Sequence, residues 1–112
     1  MRAEKLSAAQ VQDGLSQLEA WSLDTAHNVI EKTWTFDNFP SAMAFFAQAG
    51  ALAESHNHHP EFLSTYTRMS VRLWTHDVKG LTHQDFDLAA AIDRLVVAEF
   101  SHRLRSTEPP CV

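Results

Sequence analysis

The amino-acid sequence predicts an α+β fold, in which a small antiparallel sheet of about four strands carries three helices on one face. Three observations favour this class. Helix-start signals precede three apolar stretches, and four short segments are rich in β-branched and aromatic residues. These segments follow one another as helix, strand, strand, helix, strand, strand, helix. Short antiparallel strands with helices gathered on one side form a two-layer sandwich.

The first helix is predicted to begin at Ser7. Ser7 and Gln10 have the spacing of a capping box, in which each side chain accepts a hydrogen bond from the other residue's backbone amide. Val11, Leu15 and Leu18 then recur at intervals that place them on one helical face. The segment is therefore predicted to be an amphipathic helix that packs on the core.

Two strands are predicted next. Residues 21–23 are the candidate for a short strand. Residues 29–36 alternate in character, with Ile30, Trp34 and Phe36 on one side, and their β-branched and aromatic content favours a strand.

The second helix is predicted to lie between a cap at Asp37 or Asn38 and a stop before Pro60. Pro40 is tolerated in the first turn, where its missing amide proton has no helical partner. The residue that precedes a proline disfavours helical geometry, so the helix is predicted to fail at residues 57–59. The predicted apolar stripe consists of Phe39, Met43, Phe46, Gly50 and Ala53.

A hairpin is predicted after this helix. Residues 62–66 and 69–75 are its strands, and Thr67 and Arg68 are its turn. Residues 76–80 are predicted to be a loop, so His76 falls just past the end of a strand.

The last helix is predicted to begin at Thr82, because Thr82 and Asp85 repeat the capping-box spacing. One domain is predicted over residues 1–105, and residues 106–112, which contain two adjacent prolines, are predicted to be a flexible tail. The predicted apolar stripe of this helix consists of Ala89, Ile92, Val96 and Phe100.

Composition excludes several classes of protein. The 112 residues are 45% apolar and 21% charged, an ordinary globular balance, and the net charge of −5 disfavours a nucleic-acid partner. Cys111 is the only cysteine, which rules out an intrachain disulfide and a cysteine-based metal site. We recognise no signal peptide and no bilayer-spanning segment, so a cytoplasmic protein without a membrane partner is expected.

Histidine is the residue type that points to chemistry. The chain has seven histidines, and four of them lie between His56 and His76. His58 and His59 precede Pro60, where extended backbone would direct the two imidazoles to opposite sides. Histidine is the natural residue for moving protons near neutral pH.

Two other interpretations remain open on spacing alone. The histidine pair could be only a polar helix terminus, where a cation complements the helix dipole. A metal site is the second alternative, although the spacing matches no usual metal pattern. Its candidate ligands are Glu54, His56, His58, His59 and His76.

The segment from Glu54 to Glu61, Glu-Ser-His-Asn-His-His-Pro-Glu, carries a resemblance to a known family. Tyr66 follows Pro60 after five residues, His76 follows Tyr66 after nine, and Asp85 follows His76 after eight. This pattern resembles the signature of the pterin-4a-carbinolamine dehydratases, also called dimerization cofactor of homeodomain proteins. The similarity runs from about residue 6 to residue 96.

The resemblance implies a reaction and the residues that perform it. Family members eliminate the 4a-hydroxyl of a 4a-hydroxy-tetrahydropterin as water, which yields the quinonoid dihydropterin. By resemblance, His58 and His76 are the catalytic acid and base, and His59 mainly binds and orients the pterin. The pterin is the substrate, so neither a metal nor an organic cofactor is expected.

Further residues are implied in substrate binding, each with a structural alternative. Glu54 could orient a histidine or be an exposed carboxylate, and Asp85 could serve the site or only cap the last helix. Pro60 holds the turn after His59. Phe62, where the family often has Trp, and Trp74 could stack on the flat pterin or be buried in an oligomer.

The resemblance also implies partners. A homodimer or homotetramer is expected, together with a functional link to an aromatic amino-acid hydroxylase that uses tetrahydrobiopterin. The alternative is a protein-binding accessory factor or coactivator of the same fold that performs no catalysis. A purely structural role would not require the three imidazoles.

Overall fold

The computed structural model describes residues 4–105 and confirms the α+β class and the predicted order of elements. The helices are α1 (Ala8–Ser16), α2 (Phe39–Ser55) and α3 (His83–Leu95). The strands are β1 (Ser22–Asp24), β2 (Val29–Thr35), β3 (Glu61–Thr65) and β4 (Arg68–Leu73). A 3-10 turn covers His76–Val78, and α3 continues through a π-helical turn, Val96–Phe100, and a 3-10 turn, Ser101–Arg103.

The four strands form one antiparallel sheet in the order β1-β2-β4-β3. Ile30 pairs with Leu73 and Trp34 with Met69, and all four side chains are buried on the face that the helices cover. Phe36, Phe45 and Phe100 bring β2, α2 and the end of α3 together, with ring centroids 5.2–5.9 Å apart. The core therefore lies between the sheet and the helices.

The predicted helix starts are confirmed. Ser7 caps α1 in a capping box with Gln10, and Thr82 caps α3 in a capping box with Asp85. Of the two candidate caps for α2, the structure uses Asn38, whose side chain accepts a hydrogen bond from the backbone amide of Ser41. Each side chain satisfies an amide that has no partner within its helix.

The predicted apolar stripe of α2 is wrong at most of its positions. Phe39 and Phe46 are exposed, Met43 and Gly50 are half-buried, and of the five only Ala53 is buried. Residues 42–53 contain a single polar side chain, Gln48, so periodicity cannot identify the buried face. Tertiary packing selects the face formed by Ala42, Phe45, Ala49 and Ala53, whose alanines let the helix approach the core closely.

Several predicted strand boundaries are off by one or two residues. The first strand covers 22–24 rather than 21–23, the second ends at 35, and the fourth ends at 73 rather than 75. The hairpin turn is formed by Tyr66 and Thr67 rather than Thr67 and Arg68, and Tyr66 takes a left-handed backbone conformation with φ 53°.

Some predictions concern residues that the structure does not describe. The proposed tail, residues 106–112, and Cys111 within it lie outside the described range. The helices within residues 4–105 include none with the length and hydrophobicity that a membrane span requires.

Candidate active site

His58 lies in the sharp turn that follows α2. The helix ends at Ser55, and Asn57 reverses the chain with φ 51°, a left-handed conformation that asparagine tolerates well. The amide of His58 donates to the carbonyl of Ala53, 3.1 Å away. This turn holds the imidazole against the beginning of α3, where its side chain is only 10% exposed.

Asp85 is the partner of His58. The His58 Nε2 atom lies 2.5 Å from Asp85 Oδ1, and the carboxylate is completely buried. The other oxygen, Oδ2, accepts hydrogen bonds from the Thr75 hydroxyl at 2.8 Å and from the backbone amide of Thr82 at 2.9 Å. Asp85 is therefore both the capping-box acid of α3 and a direct contact of His58, so its two predicted roles do not exclude each other.

His76 lies on a small loop that is closed by hydrogen bonds between Thr75, the residue before it, and Gly80. The amide of Thr75 donates to the carbonyl of Gly80 at 2.8 Å, and the amide of Gly80 donates back at 3.5 Å. His76 begins the 3-10 turn inside this loop, and its side chain is exposed. Since Thr75 contacts Asp85, the segments that carry His58 and His76 meet at one buried carboxylate.

His59 contacts Glu54 rather than Asp85. The distance from His59 Nε2 to Glu54 Oε1 is 2.7 Å, and both side chains are largely exposed. Glu54 lies in the last turn of α2, so the helix supplies the carboxylate and the following turn supplies the imidazole. An exposed imidazole oriented in this way can present its second ring nitrogen to a ligand.

The remaining predicted binding residues differ in their surroundings. Pro60 is half-buried and directly precedes β3. Phe62 lies opposite Val71 in the hairpin, and its ring packs edge-on against Phe46 with centroids 4.9 Å apart, so it joins β3 to α2. Trp74 is half-buried and immediately follows β4.

Sequence reasoning missed the hydroxyl groups of this site. The sequence predicts Thr75 only as the last residue of a strand and Thr82 only as a helix cap, but their Oγ1 atoms lie 2.7 Å apart beside Asp85. The available signal was weak, because a threonine at the end of a strand is common. Only the folded chain brings it to a carboxylate ten residues away.

The candidate metal ligands do not form a cluster. Over residues 4–105, no group of three His, Cys, Asp or Glu side chains is arranged to hold a metal ion. Instead, His58 and His59 each contact a different carboxylate. Within residues 4–105, each of these two imidazoles has one nitrogen bonded to a carboxylate and no hydrogen-bond partner at its other nitrogen. Such an arrangement can hold and transfer protons.

Comparison with known proteins relates the chain to a family. The family described as pterin 4 alpha carbinolamine dehydratase matches residues 4–95. A provisionally named pterin-4-alpha-carbinolamine dehydratase of Rhizobium johnstonii is 44% identical over 94 residues, which are 84% of this chain and 93% of the relative. A relative with the same provisional name in Chloroflexus aggregans is 44% identical over 92 residues, or 82% and 97% of the two chains.

Two solved structures share the fold. A protein of Brucella melitensis, described as a transcriptional coactivator/pterin dehydratase, superposes with a TM-score of 0.79 at 30% identity and covers 82% of this chain and 98% of its own. A pterin dehydratase-like protein, described as a RuBisCO assembly factor of the alpha-carboxysome, gives a TM-score of 0.60 at 20% identity. It covers 69% of this chain and 89% of its own, and it supports the fold alone.

Proposed function

We propose, from the premise that the chain belongs to the pterin-4a-carbinolamine dehydratase family, that it is a hydro-lyase acting on 4a-hydroxy-tetrahydropterins. The product would be the quinonoid dihydropterin. The observation that carries the proposal is the contact of His58 with a buried carboxylate that is also bonded to Thr75, the neighbour of His76. Two histidines are thereby held on adjoining segments.

The elimination requires two proton transfers. A base removes the proton from N5 of the pterin, the N5 lone pair forms the N5–C4a double bond, and the C4a–O bond breaks. An acid protonates the departing hydroxyl, which leaves as water. Each general acid or base of this kind contributes roughly 10²–10⁴-fold to the rate.

Contacts favour His58 as the base. A carboxylate beside an imidazole stabilises the imidazolium that forms when the ring takes a proton, as in the Ser-His-Asp triad. Asp85 is in that position beside His58. His76 is exposed on its loop, which suits the acid that meets the departing hydroxyl.

The other predicted residues would bind the substrate. His59, oriented by Glu54, offers a polar contact at the rim of the site. Trp74 offers a flat apolar ring on which a pterin could stack. Asp85 is completely buried, so it would act on the pterin through His58.

The test is dehydration of freshly generated 4a-hydroxy-tetrahydropterin, followed by ultraviolet absorbance. The wild-type chain is expected to accelerate the reaction, and His76→Ala is expected to lose at least about tenfold in kcat. His102→Ala is the matched control, since His102 is also exposed but lies in the turn beyond the opposite end of α3. Folded wild-type protein that gives no acceleration over the spontaneous reaction would refute the proposal.

By resemblance, we place this activity in the cytoplasm, where it would recycle tetrahydrobiopterin for an aromatic amino-acid hydroxylase. A second candidate function is protein binding without catalysis. It is favoured by the description of the Brucella melitensis protein as a coactivator and by apolar side chains exposed on α2 and β3. An inactive but folded wild type would favour this second function.

We also propose that the chain self-associates. β3 is an edge strand of the sheet, and Leu63 on it is 61% exposed. Phe39 and Tyr66 stack on each other at a centroid distance of 6.4 Å while each remains about half exposed. An open strand edge beside exposed aromatic rings is typical of a surface that another chain covers.

A further inference from the structure

We infer that Thr75 is a positioning residue that holds His58 in one tautomer, through a chain of hydrogen bonds with a fixed direction. The chain runs from the backbone amide of Gln84 through the hydroxyls of Thr82 and Thr75 to Asp85, and from there to His58. The consequence for catalysis rests on the proposed function, whereas the tautomer itself does not.

The direction of this series of hydrogen bonds follows from its first donor, the backbone amide of Gln84. A backbone amide can only donate, so the Thr82 hydroxyl accepts from Gln84 at 3.2 Å. Thr82 then donates its single proton to Thr75, 2.7 Å away, and Thr75 donates its own proton to Asp85 Oδ2 at 2.8 Å. Each hydroxyl in this order donates once and accepts at least once.

The opposite order is unfavourable because the cluster is buried. Thr82 and Asp85 are completely buried and Thr75 is 7% exposed, so water does not supply missing partners. If Thr75 donated to Thr82, the Thr82 proton would have no other acceptor among residues 4–105. Two oxygen lone pairs would also face each other between Thr75 and Asp85. Leaving a buried hydroxyl unsatisfied is energetically costly.

Asp85 is suited to be an ionised acceptor. Its carboxylate lies in the first turn of α3, where the helix dipole favours a negative charge. The Thr75 hydroxyl and the Thr82 amide both donate to Oδ2, which leaves Oδ1 for His58. An ionised carboxylate has no proton to give, so His58 Nε2 must be the donor.

The geometry therefore assigns the neutral His58 ring its proton at Nε2 and its lone pair at Nδ1. Nδ1 would be the atom that receives the proton from N5 of the pterin. The backbone of Thr75 also closes the loop that carries His76, through its paired hydrogen bonds with Gly80. Thr75 thus holds Asp85, the partner of His58, and also closes the loop that carries His76.

The experiment measures the His58 tautomer directly. Long-range proton–nitrogen NMR spectra of protein with ¹⁵N-labelled histidine distinguish a protonated Nε2 from a protonated Nδ1, and His58→Ala identifies the His58 signals. The wild type without substrate, at a pH where the ring is neutral, is expected to show only the Nε2–H form. Wild-type His58 protonated at Nδ1 would overturn the inference, whether or not the protein has dehydratase activity.

Two variants test the role of Thr75. Thr75→Val removes the hydroxyl at nearly constant volume, and Thr75→Ser keeps it. In the valine variant, Oδ2 of Asp85 keeps only the Thr82 amide as donor, so the carboxylate is held less firmly and can turn away from His58. This variant is expected to show a mixture of tautomers and to lose about tenfold in kcat with a smaller change in KM, as one lost hydrogen bond predicts. The serine variant is expected to show the single Nε2–H tautomer and a kcat close to that of the wild type.

The outcomes separate this inference from the proposed function. An inactive wild type with the Nε2–H tautomer would refute the dehydratase and leave the positioning role intact. A folded Thr75→Val protein with a single Nε2–H tautomer and wild-type kcat would overturn the role of Thr75. If Thr75→Val does not fold, the wild-type spectrum still tests the tautomer, and Thr75→Ala, which also lacks the hydroxyl, replaces the valine variant in the test of Thr75.

Discussion

Asp85 is the residue on which three elements depend. Its carboxylate caps α3, accepts from Thr75 at the end of the hairpin and contacts His58 in the turn after α2. A charged side chain is rarely buried completely unless all its oxygens have partners. The cost of burying Asp85 is offset by donors from its neighbours, and the contact with His58 is the part that serves chemistry.

Replacing this carboxylate by an amide tests the pair. Asp85→Asn keeps the shape, but its amide nitrogen would donate toward His58 and favour the other tautomer. We expect kcat to fall by at least about tenfold. Asp87→Asn on the same helix is the control, because Asp87 is exposed and should leave the steady-state kinetics unchanged. Equal activity of Asp85→Asn and wild type would show that the carboxylate is only a cap.

Asp24 makes the stability of the protein depend on acid. The hydrogen bond from His27, at 2.9 Å, holds the pKa of Asp24 below its usual value of 3.8. A carboxyl whose pKa is lower in the folded state than in the unfolded state stabilises the protein at pH values above its unfolded-state pKa. This stabilisation is lost as the pH falls through the folded-state pKa. Asp24 also binds Arg72 at 2.9 Å, so it links β1 to β4.

The prediction is that Asp24→Asn lowers the Tm at about pH 6 and that the difference from wild type shrinks toward zero in stronger acid. Thermal melts by circular dichroism over this pH range measure it. Asp87→Asn again serves as the control. A difference that stays constant from neutral pH down to strong acid would contradict the prediction.

At the scale of elements, α2 offers a matched pair of neighbouring side chains. Phe45 is completely buried among Trp34, Phe36 and Phe100, whereas Phe46 is 43% exposed and contacts Phe62. The two residues are adjacent in sequence and identical in type, so they differ only in the face of the helix on which they lie. Their contributions to folding should therefore differ strongly.

Phe45→Ala is expected to lower the free energy of unfolding by about 3–5 kcal/mol, because a large buried ring leaves a cavity. Phe46→Ala is expected to cost less than about 1.5 kcal/mol, mainly through its edge-on contact with Phe62. Chemical denaturation of both variants at one temperature gives the comparison. Equal losses would mean that the buried face of α2 has been assigned wrongly.

At the scale of the whole molecule, the open edge of the sheet is a surface that isolated proteins usually protect. Such edges are often blocked by lysine, proline or a bulge, and β3 contains none of these in its five residues. Its side chains include Glu61 at one end and exposed Leu63 at the centre. We propose that a second copy of the chain packs against this edge.

The self-association proposal predicts a specific response to charge. In sedimentation velocity, the Leu63→Lys variant is expected to contain more monomer than the wild type. A lysine buried in the interface at the strand edge would lack a partner for its charge. Val97→Lys is the control, since Val97 is 71% exposed but lies on the far end of α3. A monomeric wild type, or an oligomer that Leu63→Lys leaves intact, would refute the proposed interface.

Local signals in the sequence determined the fold class, the order of elements, the capped helix starts and the family. Ser7 with Gln10 and Thr82 with Asp85 are three residues apart, so the interaction that starts each helix is encoded within one turn. The histidines and their spacing from Glu54 to Asp85 are likewise a property of the chain itself, and this pattern is enough to indicate the family.

Tertiary structure alone decided the buried face of α2 and the partners of the site residues. Almost every position in the middle of α2 is apolar, so only the shape of the core could choose among its faces. His58 and Asp85 are 27 residues apart, and Thr75 reaches the same carboxylate from a third segment. Contacts of this kind depend on how elements pack against one another, which short-range periodicity and spacing do not specify.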